Sequence, residues 1–80
     1  MILKFRDIRR YMAEFASPVS ICLHETGDYE NYAEIGQVTE KYDDMYLYGI
    51  GSYADNFDFY GEIKWMNAVE IRVSKTPRFE

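Results

Sequence analysis

The hydrophobic period of this chain changes at Ser17-Pro18. Upstream, Phe5, Ile8, Met12 and Phe15 recur at spacings of three and four, one face of a 3.6-residue helical period. Arg6, Arg9, Arg10, Ala13 and Glu14 fall elsewhere on the wheel. Pro18 ends the helix, because its ring pushes the preceding residue out of the helical region. No Ser or Thr stands before the first turn, so Asp7 is the candidate for its start signal. Downstream the period is two. Val19, Ile21 and Leu23 alternate with Ser20, Cys22 and His24, and Val69, Ile71 and Val73 alternate with Glu70, Arg72 and Ser74. Both runs read as half-buried strands.

Between them the signals are mixed. Gly27-Asp28 has turn chemistry, and residues 32–38 form the return strand of a hairpin, with Ala33 and Ile35 on one side. Residues 39–44 read as a loop or a single helical turn that Thr39 could cap. Residues 45–54 suit a pleated surface. Gly49 and Gly51 share one face of that strand and mark a bulge, a bend or a close approach. Alternation places Tyr46, Tyr48 and Ile50 on one side and Met45 and Leu47 on the other. Asp55-Asn56 reads as a turn, residues 57–65 as either strand or ordered loop, and Pro77 ends regular structure. The expected architecture is α+β: an N-terminal helix packed on a four- or five-stranded, mostly antiparallel sheet, in a single domain over residues 1–80. A chain of this length buries roughly 60% of its unfolded surface, enough for one modest core. At 48% hydrophobic and 18% aromatic residues it is too apolar to be disordered.

The net charge of −5 is unevenly spread. Residues 1–10 carry a net of +3 and residues 71–80 a net of +2, whereas residues 25–70 hold eleven carboxylates against Lys41 and Lys64. An acidic middle repels nucleic acid, whose phosphates need Lys and Arg, and attracts a basic protein surface. The single Cys22 excludes an internal disulfide and favours a reducing cytoplasm. Arginines interrupt the N-terminal apolar residues, so neither a signal peptide nor a membrane span is expected there. Starting at Met1 with no linker, the chain reads as a complete small gene product.

No motif names a chemistry. Cys22 and His24 share a strand face but stand too far apart for a nucleophile–base pair, and two ligands fall short of a structural zinc site. Asp28, Glu30 and Glu34 lack calcium-loop spacing. Asp43-Asp44 has no flanking signal of the burial that would split two carboxylate pKa values. Gly49-x-Gly51 lacks the third glycine and following helix of a phosphate loop. Arg6, Arg9 and Arg10 could meet phosphate or could balance the acidic sheet through ion pairs.

What remains is an acidic, aromatic surface. Asp43, Asp44, Asp55, Asp58 and Glu62 are interleaved with Tyr46, Tyr48 and Tyr53. Tyrosine supplies rigid amphipathic contact area at interfaces, and carboxylates spaced along a sheet imitate a row of phosphates. In size, acidity and layout the chain resembles the small inhibitors encoded by phages and mobile elements, such as anti-CRISPR proteins and other nucleic-acid mimics. The resemblance is one of general character over the whole chain. It implies a non-enzymatic protein that docks on a basic surface of a nuclease or other nucleic-acid-handling partner; separately, neither a cofactor nor a metal is expected. The rival expectation is a homodimer or assembly module that buries the tyrosines against a symmetry mate. A small enzyme using Cys22, His24 or an acidic pair ranks third.

Overall fold

A computed structural model of the chain describes residues 2–12 and 17–77. Helix α1 spans Phe5–Arg9 and tightens into a 3-10 turn over Arg10–Met12. Phe15, the last member of the expected stripe, lies outside the described residues. Asp7 does mark the start: its carboxylate accepts the Lys4 backbone N–H at 2.9 Å, satisfying one of the donors a helix N-terminus leaves orphaned.

Four strands follow: β1 (Val19–Leu23), β2 (Tyr29–Tyr32), β3 (Tyr46–Phe59) and β4 (Glu62–Ser74). They form one sheet in the order β2-β1-β4-β3. The β1–β2 and β3–β4 pairs are antiparallel, and the central β1–β4 pair is parallel. The sheet is therefore mixed. The two alternating runs seen in the sequence lie side by side at its centre, with Val19 opposite Val69 and Ile21 opposite Ile71. The helix and the 3-10 turns over Ile35–Gln37 and Glu40–Tyr42 cover one face. The core there consists of Phe5, Val19, Ile21, Ile35, Val38, Tyr42, Ile71 and Val73, with Ile8, Met12, Met45 and Leu47 packed around it.

Several sequence expectations are corrected. The return strand of the first hairpin runs over Tyr29–Tyr32, not residues 32–38, and Ile35 reaches the core from a 3-10 turn instead. Asp55-Asn56 is not a turn. Strand β3 continues through it, pairing Asp55 with Met66 and Asn56 with Trp65. The reversal comes at Tyr60-Gly61, where φ is 53° and 88°. Two consecutive positive values in a two-residue connection make a type I′ turn, whose twist matches that of the flanking strands. Residues 57–65 are thus strand, turn and strand.

The glycines of β3 do mark a bulge: the register slips between Leu47 and Gly49. A Cβ added at Gly49 or Gly51 would meet nothing within 4 Å, so close approach is not their role. The bulge also breaks the alternation. Ile50 pairs with Ile71 and joins the side of Leu47, not that of Tyr46.

Candidate functional site

Strand β1 was expected to show water one of its faces. Instead Ser20 is 2% and Cys22 6% exposed, because the opposite face of the sheet is also partly covered. Beyond Ser52↔Val69, strands β3 and β4 pair only with each other and extend as a two-stranded ribbon. At the base of this ribbon Tyr53 crosses β4 towards β1. Its register partner is the small, buried Ala68, which leaves room for the ring to cross. The Tyr53 hydroxyl lies 2.6 Å from Ser20 Oγ. Ser20 Oγ in turn donates to Asn31 Oδ1 on β2. With the Ser20 proton committed to Asn31, Tyr53 is the donor in the first bond. A polar chain thus links β3, β1 and β2 across the back of the sheet.

This chain forms the floor of a half-open hollow of about 260 Å³, lined by Ser20, Cys22, Tyr29, Asn31, Tyr53, Asp55 and Glu70. Ser20 and Cys22 are its buried base, while Tyr29, Asn31 and Asp55 stand exposed at its rim. A second hollow lies under the ribbon tip, where Phe57, Asp58, Tyr60 and Gly61 face Pro18, Asn31, Tyr32 and Gln37. There the Tyr60 hydroxyl is pushed above its ordinary pKa by desolvation and by the Glu34 carboxylate.

The sequence-derived site residues do not form one surface. Asp43 and Asp44 lie beside the helix. Asp43 accepts two bonds from Arg9, at 3.0 and 2.7 Å, and Asp44 pairs with Arg6. Two of the three arginines of the basic patch and these two acids therefore neutralise each other within the chain, while Arg10 lies 5.7 Å from the Tyr11 ring centroid. Tyr46 and Tyr48 are half-buried and outside the hydrophobic core. The Lys4 ammonium sits 5.4 Å from the Tyr46 ring centroid, and Tyr48 stacks on His24 at 3.8 Å. Asp58 accepts the Gly61 N–H at 2.9 Å and so braces the type I′ turn. Glu62 pairs with Lys64 at 3.1 Å on the exposed ribbon. Only Tyr53 and Asp55 enter the first hollow.

Sequence reasoning missed Ser20, Asn31, Tyr29 and Glu70 as site residues. Alternation had already put Ser20 and Cys22 on one side. Placing the return strand three residues late hid Tyr29 and Asn31, which sit opposite them in register.

Two acids of the first hairpin, Glu30 and Glu25, are structural. Glu30 accepts bonds from Lys41, from the Tyr42 hydroxyl at 2.7 Å and from the Tyr32 hydroxyl at 3.0 Å. These donors, Lys41 foremost, hold its pKa down at about 2. Burial, and then the Glu30 carboxylate, push the Tyr42 hydroxyl up. Glu25 is lowered by the Ser74 hydroxyl and the Lys75 N–H, which tie the first hairpin to the end of β4.

Cys22 and His24 do not act together. Cys22 Sγ contacts the carbonyls of Leu23 and Gly27 at 3.9 Å, while His24 stacks away on Tyr48. Among the described residues, no group of three or more His, Cys, Asp or Glu side chains could hold a metal ion. No described helix is long and apolar enough to cross a membrane. No protein family, characterised protein or solved structure was found to match the chain.

Proposed function

We propose that this chain is a non-enzymatic binding protein of the cytosol, an inhibitor that docks the open side of its sheet and its ribbon on a basic, nucleic-acid-handling protein. The observation that carries this reading is the division of charge by the fold. Arg9, Arg6 and Lys41 are consumed by Asp43, Asp44 and Glu30 beside the helix layer. The ribbon, residues 53–68, keeps Asp55, Asp58 and Glu62 against the single Lys64. Asp55 lines one hollow with Tyr53 and Asp58 lines the other with Phe57, and the two ring centroids are 5.7 Å apart. Acid and aromatic side chains on a rigid strand pair suit recognition of a basic surface. The role needs no cofactor.

The test is a binding isotherm against a captured basic partner at low and high salt, repeated with an Asp55→Asn, Asp58→Asn, Glu62→Gln triple variant. Affinity should fall steeply with salt and with the triple change. A partner held equally well by the variant, or equally at both salt concentrations, overturns the proposal.

A second reading rests on the outer side of the same ribbon. Ile63 is 71% and Trp65 69% exposed, two residues apart on one strand face. Such neighbours favour a homodimer or assembly contact. Size-exclusion chromatography with light scattering separates the two: a tight dimer supports assembly, and a monomer leaves the acidic face free to bind.

A further inference from the structure

The hollow on the open side of the sheet has a lining that suits one ligand chemistry. Two tyrosines, Tyr29 and Tyr53, supply ring faces, and two carboxylates, Asp55 and Glu70, supply negative charge. Ser20 at the base and Asn31 at the rim add polar atoms already bonded to each other. A flat cation is attracted both to an aromatic face and to a carboxylate edge. A guanidinium group meets both demands at once: it is planar, stacks on rings and presents its N–H donors as a fork. A compact ammonium is more strongly hydrated and has no plane to stack.

We infer that this hollow is the receptor for an arginine side chain of a partner protein. The inference rests on the binding role proposed above and sharpens it to one pocket and one residue type. Arg72 lies 3.5 Å from the Glu70 carboxylate. Glu70 also borders a shallower hollow that contains Arg72, Gly49 and Gly51. Glu70 is therefore shared, and Asp55 is the pocket's principal anion. Among the described residues, the Asp55 carboxylate accepts the neighbouring Asn56 N–H, at 2.7 Å. The incoming side chain enters past the exposed Tyr29 and Asp55, and its guanidinium comes to rest against Tyr53.

The test is an NMR titration of the full chain with N-acetyl-arginine methylamide, alongside the lysine and citrulline analogues. The arginine compound should bind with a dissociation constant on the order of 1 mM, as a ligand of that size allows. Its shift changes should centre on the amides of Tyr29, Asn31, Tyr53 and Asp55. The lysine compound should bind more weakly, and citrulline, which keeps the shape and loses the charge, should do nothing. Asp55→Asn and Tyr29→Ala should each weaken binding about threefold or more. Both residues are exposed, so neither variant should unfold. Glu40→Gln, on the helix side, should leave the titration unchanged.

Equal shifts from citrulline, a footprint elsewhere, or full affinity in both variants overturns the inference. An arginine-rich peptide titrated in parallel separates the two levels of argument. Salt-sensitive binding that maps to Asp58 and Glu62 and ignores Asp55→Asn removes the pocket and keeps the binding role. No binding of either probe removes both.

Discussion

Arg9 is the side chain on which the helix layer depends, and replacing it gives a measurable contrast with Arg6. Its Nη1 donates to the Val38 carbonyl at 2.6 Å, and its Nη2 to the Thr39 carbonyl at 2.9 Å. Nε and Nη2 together grip one oxygen of Asp43, and the guanidinium lies 4.8 Å from the Phe5 ring centroid. The Arg9 and Asp43 side chains are only 26% and 27% exposed. Arg9→Ala leaves a half-buried carboxylate and two carbonyls without this donor. Charge-assisted bonds of this kind contribute about 1.5–3 kcal/mol and are not additive, so a total loss of about 3 kcal/mol is expected. Against a stability on the order of 5 kcal/mol, that is most of the margin. Arg9→Lys keeps the charge but cannot reproduce the fork, and should lose about half as much.

Arg6 supplies the control. On the same helix as Arg9, it also pairs with an aspartate, but its side chain is 53% exposed and that of Asp44 is 79% exposed. An ion pair so wet contributes at most about 0.5 kcal/mol. Urea unfolding followed by circular dichroism reads both effects. With a slope of about 1 kcal/mol/M for a domain of this size, Arg9→Ala should lower the midpoint by about 3 M and Arg6→Ala by less than about 0.5 M. In 1 M salt the Arg6 effect should vanish and most of the Arg9 effect persist, because partly buried pairs are screened less. Equal midpoints for the two alanine variants would refute the assignment of Arg9 as the staple between helix and loop.

Three further outcomes can be checked on the same material. Glu30 has a folded pKa of about 2 against 4.5 for the free group, so its share of stability is complete above 4.5 and disappears as pH falls towards 2; thermal melts across that window should show a shallower pH dependence in Glu30→Gln than in the native chain. Gly61→Ala places a Cβ at φ +88° and should cost about 1 kcal/mol or more, whereas Tyr60→Asn, a residue that tolerates φ 53°, should raise the melting temperature. Trp65 is the sole tryptophan and is 69% exposed, so acrylamide should quench its fluorescence readily in a monomer; protection that grows with protein concentration would favour the assembly reading.

The parts of the fold legible in the sequence are those where one period was buried. The stripe of Phe5, Ile8 and Met12 and the alternation in β1 and β4 all end in or against the core. Strand β2 was displaced because Tyr-Glu-Asn-Tyr has no aliphatic residue. It is held as an edge strand by backbone pairing to β1, which leaves no hydrophobic signature. The Asp55-Asn56 error has the opposite cause. Both residue types suit turns, yet the cross-strand register runs straight through them, and composition carries no information about register. At the true reversal, Tyr60 occupies a position usually held by Asn, Asp or Gly, so Gly61 was the only signal. The parallel pairing of β1 with β4 joins residues about fifty positions apart, and no local pattern encodes it.

The same separation governs the charge. Taken by segment, residues 1–10 are basic and residues 25–70 acidic, which suggests a uniform acidic face and a detached basic helix. Arg9 and Asp43 are thirty-four residues apart and in contact, and Arg6 and Asp44 are also paired. Folding therefore subtracts the N-terminal cations from the acids next to the helix and from no others. Asp55 and Asp58 on the ribbon keep their charge, and Asp55 stands beside Tyr53 and the hydroxyl chain to Ser20. A surface whose charge is left over in this way should respond to salt through Asp55, Asp58 and Glu62. Substituting Asp43 or Asp44 should instead act through stability, and that difference in response separates the binding face from the scaffold that positions it.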